Sequence, residues 1–108
     1  MLFRSDSQWN AVFIMHYIVL HELTDAFLRF DKVNVNNHQC LFTYLCYHHL
    51  ELDFDWRFFE KIRTKRNGSL YYGDAVTYSH WKELNVQTIL YIKTLKDAIE
   101  KKLKKNGY

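Results

Sequence analysis

Four stretches of the chain carry apolar residues at helical spacing, and short polar segments separate them. The first stretch ends near Phe30 and has apolar residues on more than one stripe. Such a pattern predicts a central helix, or one shared between a core and a subunit interface. Ser5, Asp6 or Ser7 is expected to cap its start.

The second and third helices are predicted from the residues at their boundaries. Asn37 is a good N-cap for a helix ending near Leu50, after a polar loop over residues 31–36. Asp53 or Asp55 is expected to cap the third helix. Gly73, after Tyr72 and before Asp74, is expected to end that helix in the left-handed conformation.

The last helix is predicted from about His80 to Lys105, with Ser79, or alternatively Thr77, as its cap. Proline is absent and glycine occurs only three times, which favours an all-α fold. The short connections predict an up-and-down antiparallel four-helix bundle that forms a single domain over residues 1–108. The expected core stripe of the last helix is Leu84, Ile89, Ile92, Leu95, Ile99 and Leu103.

Composition narrows the function classes only slightly. A chain of 108 residues with 48% hydrophobic and 18% aromatic residues is expected to fold. The net charge of +3 permits nucleic-acid binding without requiring it. One cysteine pair, Cys40 and Cys46, is no disulfide framework and favours a reducing, cytoplasmic location.

The N-terminal stretch is not expected to act as a signal or a membrane anchor. Arg4 and Asp6 precede the apolar region, and no small-residue cleavage site follows. His16 splits the apolar runs and His21 ends them, so the stretch is expected to be too short and too polar to span a bilayer.

The densest positive charge outside the tail lies at the end of the third helix, where four of the six residues from Lys61 to Arg66 are Lys or Arg. Arg63, Asn67 and Tyr71 are spaced i, i+4, i+8, and Arg66 lies one turn from Arg63. If the helix continues past Gly68, the four side chains share an arc of about 140° and form a candidate phosphate or RNA site. If it ends at Asn67, they form a solvated basic helix end with Asn67 as a cap.

Two other clusters could carry chemistry. Tyr17, His21 and Asp25 share one face of the first helix, so Asp25 could orient His21 as a general base. A hydrogen-bonded core histidine is the alternative. The second cluster, His38, Cys40, Cys46, His48 and His49, lacks paired ligand spacing, so neither a metal nor a cofactor is expected.

The run from Arg66 to Gly73, read as Arg-Asn-x-x-x-Tyr-Tyr-Gly, resembles the HEPN superfamily of nucleotide-binding helical domains. The helix around His21, the segment opening at Asn37 and the stretch from Phe59 to Asn67 are also similar to that family, so the likeness covers about residues 8–103.

The resemblance implies a helical bundle that commonly dimerises so that two motifs face one cleft. Many members are metal-independent ribonucleases, in which Arg stabilises the phosphate and a His helps the 2′-hydroxyl to attack. Others pair with a nucleotidyltransferase antitoxin or are non-catalytic binding modules.

The sequence departs from the family pattern at position 71, where Tyr stands in place of the motif His. Tyrosine has a reference pKa near 10, so Tyr71 is a poor general base at neutral pH. Ribonuclease activity would then rest on Arg66, Asn67, Tyr71 and His21. The expectation is a homodimer that binds RNA or a nucleotide, as the toxin-like half of a toxin–antitoxin pair. The alternatives are a non-catalytic module that docks a nucleotidyltransferase and a plain dimeric scaffold.

Overall fold

The computed structural model describes residues 3–32, 37–71, 73 and 75–107, and the side chains of these except residues 3–7, 70 and 71. Four helices make up this part of the chain, and it contains no strand. They are α1 (Phe3–Arg29), α2 (His38–His48), α3 (Trp56–Tyr71) and α4 (Tyr78–Lys105), with a 3-10 turn at Leu50–Leu52. The predicted all-α four-helix bundle is confirmed.

Side-chain caps set two of the helix starts. Asn37 caps α2 as predicted, and Thr77, not Ser79, caps α4, which begins at Tyr78 and not near His80. The Asn37 side chain accepts hydrogen bonds from the backbone N–H groups of Gln39 and Cys40, at 2.9 and 3.2 Å. Thr77 and His80 form a capping box at the start of α4. Each bond satisfies an N–H group that has no partner within its helix.

The other helix boundaries either differ from the predicted ones or decide between predicted alternatives. α1 begins at Phe3, ahead of the residues expected to cap it. α2 ends at His48, two residues earlier than expected. Of the two cap candidates for α3, Asp55 accepts from the Arg57 backbone N–H at 2.9 Å. Gly73 has a φ of +71°, the left-handed conformation predicted for it after α3.

The core is built from aromatic rings at the centre of the bundle. Phe42 of α2 stacks on Phe59 of α3 with 4.5 Å between ring centroids. Tyr91 of α4 packs against Phe59, and its hydroxyl accepts a hydrogen bond from the Asp55 backbone N–H at 2.9 Å. All four helices therefore meet around Phe42 and Phe59, because Tyr17 of α1 also lies against Phe42.

Paired contacts fix the directions of the helices. α1 and α4 run in the same direction, since Trp9 packs on Tyr78 near one end and Phe27 lies beside Lys102 near the other. In an up-and-down bundle the first and last helices are antiparallel, so these helix directions differ from the predicted ones. α3 runs antiparallel to its neighbours, because its contacts fall in opposite order along each helix pair. They join Ser69 to Asn10 and Arg66 to Tyr17 on α1, and Trp56 to Thr43 and Glu60 to Gln39 on α2.

Asn10 of α1 forms hydrogen bonds with both the end of α3 and the connection to α4. Its side-chain oxygen accepts hydrogen bonds from the Ser69 hydroxyl at 2.8 Å and from the Val76 backbone N–H at 2.9 Å. Val76 itself is fully buried. The last turn of α3 is therefore held against the first half of α1, which positions Arg66 beside Tyr17.

The core stripe of α4 differs in part from the prediction. Leu84 and Leu95 are buried, but Ile89 is 50% exposed. The buried positions follow one helical face through Thr88 and Tyr91, and Ile89 lies about 140° round the helix from Leu84. Ile89 therefore belongs to the outer surface.

α1 contains the stretch Gln8–Arg29, which is long and apolar enough to cross a membrane by length and composition alone. The expectation that it is too short and too polar is wrong by that test. In the bundle, this helix buries Phe13, Tyr17 and Leu20 against the other helices. About 33% of its most apolar stretch is buried in this way, while Met15, Ile18 and Val19 remain exposed.

Candidate functional site

α3 continues past Gly68 to Tyr71, which is the condition on which the clustered basic site depended. The Tyr71 side chain and Tyr72 lie outside the described residues. The described members of the predicted cluster, Arg63, Arg66 and Asn67, can be placed individually. These three side chains have different partners, so they do not form a single patch of available positive charge.

Arg63 is neutralised by a neighbour on its own helix. Its guanidinium donates two hydrogen bonds to the Glu60 carboxylate, at 2.6 and 3.1 Å. Gln39 of α2 also donates to Glu60, at 3.0 Å. The Arg63 hydrogen bond lowers the pKa of Glu60, and the same bond raises the pKa of Arg63. Arg63 is thus less available to a ligand than the sequence suggests.

Arg66 is the arginine without a carboxylate. Among the arginines with described side chains, Arg29, Arg57 and Arg63 each have a carboxylate oxygen within 4.0 Å, whereas Arg66 has none. The Arg66 guanidinium lies over the Tyr17 ring, 5.5 Å from its centroid. It also lies 3.5 Å from the Asn67 side-chain oxygen, a long and weak contact. The ring lies against the cation, and most of the guanidinium donors have no partner among the described residues.

Two histidines join Arg66 around a small recess. The rings of His21 and His38 lie 3.9 Å apart between centroids, and Nδ1 of His38 is 3.0 Å from the Tyr17 hydroxyl. The recess has a volume of about 180 Å³ and brings together α1, the start of α2 and α3. Its lining residues, hereafter the Arg66 recess, are Tyr17, Ile18, His21, Glu22, His38 and Arg66.

The electrostatics of the Arg66 recess disfavour further positive charge. The pKa of His38 is lowered, first because burial disfavours the imidazolium and then because His21, Arg66 and Arg63 are close by. The pKa of Tyr17 is raised to about 12, because burial of the phenol outweighs the attraction of Arg66. The Tyr17 side chain is therefore a neutral hydrogen-bonding group that lines the recess at physiological pH.

The suggested orientation of His21 by Asp25 is not what the structure shows. The Asp25 carboxylate accepts a hydrogen bond from Arg29 at 3.1 Å, one turn further along α1. The charged neighbour of His21 is Glu22, with 3.7 Å between Nδ1 and Oε1. His21 faces the recess, but its orienting contact is the His38 ring.

A larger groove runs along the outer face of α3. It has a volume of about 800 Å³, and Glu60 is the acidic residue among its lining side chains. Asn67 lines this groove while Arg66 lines the recess, and their side chains touch, so the two depressions adjoin. The groove, hereafter the α3 groove, is lined by Arg57, Glu60, Lys61, Arg63, Thr64, Lys65, Asn67, Gly68, Ala75 and His80.

His38 is the site residue that sequence reasoning missed, since it was weighed only as a zinc ligand. Nothing local in the sequence brings it to Tyr17 and His21, which lie 21 and 17 positions earlier. One local signal existed, because the Asn37 cap fixes His38 in the first turn of α2. No set of three metal-ligating side chains occurs in the described part of the chain.

Tyr17 gives the site a measurable signature at alkaline pH. In the unfolded chain its phenol ionises near 10, whereas in the fold it stays protonated to about 12. The unfolded state therefore binds fewer protons above pH 10, and stability contributed by Tyr17 is present below pH 10 and lost as pH rises through 12. Between pH 9 and 11 this contribution falls by roughly 1.4 kcal/mol.

We expect Tyr17→Phe to remove this fall of the unfolding free energy with pH. Urea unfolding at pH 9, 10 and 11 should show the unfolding free energy of Tyr17→Phe falling less steeply than that of the wild type. Tyr47→Phe changes a phenol that is 65% exposed and should keep the wild-type slope. Parallel curves for Tyr17→Phe and the wild type would contradict a buried neutral phenol.

Comparisons of the chain with protein-family models, with curated proteins and with solved structures find no match.

Proposed function

We propose that the protein binds RNA, or the phosphate of a nucleotide, at the Arg66 recess and along the α3 groove. The observation that carries the proposal is Arg66, whose guanidinium has no carboxylate partner among the described side chains and faces a recess with two histidines. Phosphate oxygens are the acceptors that match the planar donor fork of arginine.

The α3 groove supplies the second part of the proposal. Lys61 and Lys65 line it, and neither forms an ion pair with any side chain that the structure describes. A groove that presents several cations suits an extended single strand, whose phosphates follow one another along the chain. Its contact with the recess through Asn67 lets one strand use both.

We also infer, from the resemblance in the Arg66–Gly73 run, a HEPN-type protein that works in the cytoplasm as the toxin-like component of a toxin–antitoxin pair. A nucleotidyltransferase antitoxin is the partner that this assignment implies. The alternative remains a non-catalytic module that docks such an enzyme. A nucleotidyltransferase gene beside the gene for this chain would favour either form.

Ribonuclease activity is a further part of the proposal. Arg66 would stabilise the charge that develops on the phosphate, and His21 would move the proton that Tyr71 is poorly suited to take at neutral pH. What supports this role is the position of His21 in the same recess as Arg66.

A homodimer is proposed through the aliphatic side chains that α1 and α4 leave exposed. Met15 and Ile18 of α1 are 65% and 50% exposed, and Val86 and Leu90 of α4 are 75% and 56% exposed. Exposed aliphatic side chains at i, i+3 and i+4 spacing on a helix are typical of an interaction face. The same surface is what a plain dimeric scaffold would use.

Salt-dependent RNA binding tests the proposed function. Fluorescence anisotropy with a labelled single-stranded RNA of about 12 nucleotides should show binding that weakens with salt. Lys61→Gln/Lys65→Gln should reduce the slope of log affinity against log salt by about 1.4, since each phosphate contact on a single strand contributes about 0.7.

Lys93→Gln/Lys96→Gln is the matched control, because it removes two exposed charges from α4 outside the groove. If both double variants lose the same amount of RNA affinity, net charge alone explains the binding. If the protein does not bind RNA at low salt, the proposed function is wrong. The same RNA, run on a denaturing gel after incubation in EDTA, reports whether it has been cleaved.

A further inference from the structure

We infer that the Arg66 recess binds a terminal phosphate of RNA, a phosphomonoester, while the rest of the strand lies along the α3 groove. The inference rests on the proposed function and names its ligand more closely. It assigns the recess to the end of a strand and the groove to the strand's internal phosphates. For the recess it therefore replaces the ribonuclease role proposed above, which would need an internal phosphodiester beside Arg66 and His21.

The size of the recess is the first argument. About 180 Å³ is well below the 300–1,000 Å³ typical of pockets that enclose a whole small molecule. A phosphate group fits such a space, whereas a nucleoside with its base does not. An internal phosphodiester would also need two exits, one for each ribose that it joins. A terminal phosphate has one ester bond and needs only one exit.

The donors of the recess are the second argument. Arg66 presents a guanidinium without a carboxylate partner among the described side chains, and His21 and His38 present two imidazoles 3.9 Å apart. The ligand that suits this set has several free acceptor oxygens and more than one negative charge. A phosphomonoester carries three such oxygens and a charge of about −1.5 to −2 at pH 7, whereas a phosphodiester carries one charge.

The charges around the histidines support the same ligand. Burial lowers the pKa of His38, and the neighbouring His21, Arg66 and Arg63 lower it further. A dianion entering the recess would reverse that penalty, since it attracts each of these groups. Glu22 at the recess opposes an anion, but its side chain is 71% exposed and lies 3.7 Å from His21. The carboxylate therefore faces solvent for the most part.

The exit is the third argument. Arg66 touches Asn67 at 3.5 Å, and Asn67 lines the α3 groove. A strand that ends in the recess can thus leave past Asn67 and continue towards Lys65 and Lys61. The terminal phosphate and the internal phosphates would then have separate sets of side chains, which makes their contributions separable by mutation.

The test compares one single-stranded RNA octamer in three forms, with a 5′-phosphate, with a 3′-phosphate and with hydroxyls at both ends. Each unlabelled octamer competes against a labelled RNA in an anisotropy assay at pH 7. We expect one phosphorylated form to bind at least ten-fold more tightly than the hydroxyl form, and the two phosphorylated arms show which end is bound.

Two variants separate the recess from the groove. His38→Asn should reduce the preference for the phosphorylated octamer to less than three-fold. Lys61→Gln/Lys65→Gln should weaken all three octamers and keep the preference. Glu22→Gln alters an exposed side chain and should strengthen binding of the phosphorylated form about two- to three-fold, so it tests the recess even if His38→Asn does not fold.

The outcomes distinguish the two proposals. Equal affinity for all three octamers, with binding still dependent on the α3 groove, would overturn the terminal-phosphate inference and leave RNA binding intact. A preference that persists unchanged in His38→Asn and is unaffected by Glu22→Gln would also overturn it. Absence of binding for every octamer would remove the proposed function together with the inference.

Discussion

Replacing Arg66 with alanine is expected to weaken the binding of phosphorylated single-stranded RNA by about 10- to 100-fold. A charge-assisted hydrogen bond contributes about 1.5–3 kcal/mol, which corresponds to that range of affinity. The loss should be large because, within the described residues, Arg66 has no carboxylate that already satisfies its donors. Competition anisotropy at fixed salt measures the change.

Arg29→Ala is the matched control for Arg66→Ala. It removes the same charge from an exposed site on α1, where Arg29 is paired with Asp25 at 3.1 Å. We expect its affinity to stay within about two-fold of the wild type, because Arg29 lines neither the Arg66 recess nor the α3 groove. An equal loss in both variants would mean that net charge alone drives binding. Circular dichroism of Arg66→Ala should match the wild type, since the fold loses only a cation–π contact and a long contact with Asn67.

Replacing Phe42 with alanine is expected to lower the free energy of unfolding by about 3–5 kcal/mol. Phe42 is 1% exposed, stacks on Phe59 and forms T-shaped ring contacts with both Tyr17 and His21. The variant would leave a cavity where α1, α2 and α3 meet. Since small domains are stable by only about 5–15 kcal/mol, this is a large fraction of the total. Urea unfolding measures it.

Tyr47→Ala provides the comparison on the same helix. Tyr47 is 65% exposed, so its removal should change the unfolding free energy by no more than about 0.5 kcal/mol. Similar losses for Phe42→Ala and Tyr47→Ala would contradict the packing described here. Phe42→Ala should also weaken phosphate binding, because Phe42 supports two residues of the Arg66 recess.

The fold was predictable to the extent that local rules decide it. The absence of proline and the Asn37 cap are local signals that gave a correct fold class and a correct helix start. Thr77 was the second of two cap candidates for α4, which begins slightly ahead of the predicted His80. The directions of the helices were less accessible, because they depend on tertiary contacts such as Trp9 with Tyr78. The predicted set of core residues in α4 was partly wrong, since apolar character alone does not say whether Ile89 faces the core or the surface.

The candidate site was predictable only on its own helix. The spacing of Arg63, Arg66 and Asn67 along α3 was available from the sequence. The pairing of Arg63 with Glu60 was available as an i, i+3 contact, yet it was overlooked. The contribution of His38 could not be inferred, because a contact between the start of α2 and the middle of α1 depends on how the bundle closes.

The central claim is that Arg66, His21 and His38 share one recess that binds a phosphate. The most direct test follows the imidazole C–H resonances of the six histidines by NMR while adenosine 5′-monophosphate is added. We predict that the His21 and His38 resonances shift together and saturate with one dissociation constant, while those of exposed His48 stay in place. Unchanged His21 and His38 resonances at saturating nucleotide, or equal shifts at all six histidines, would contradict the claim.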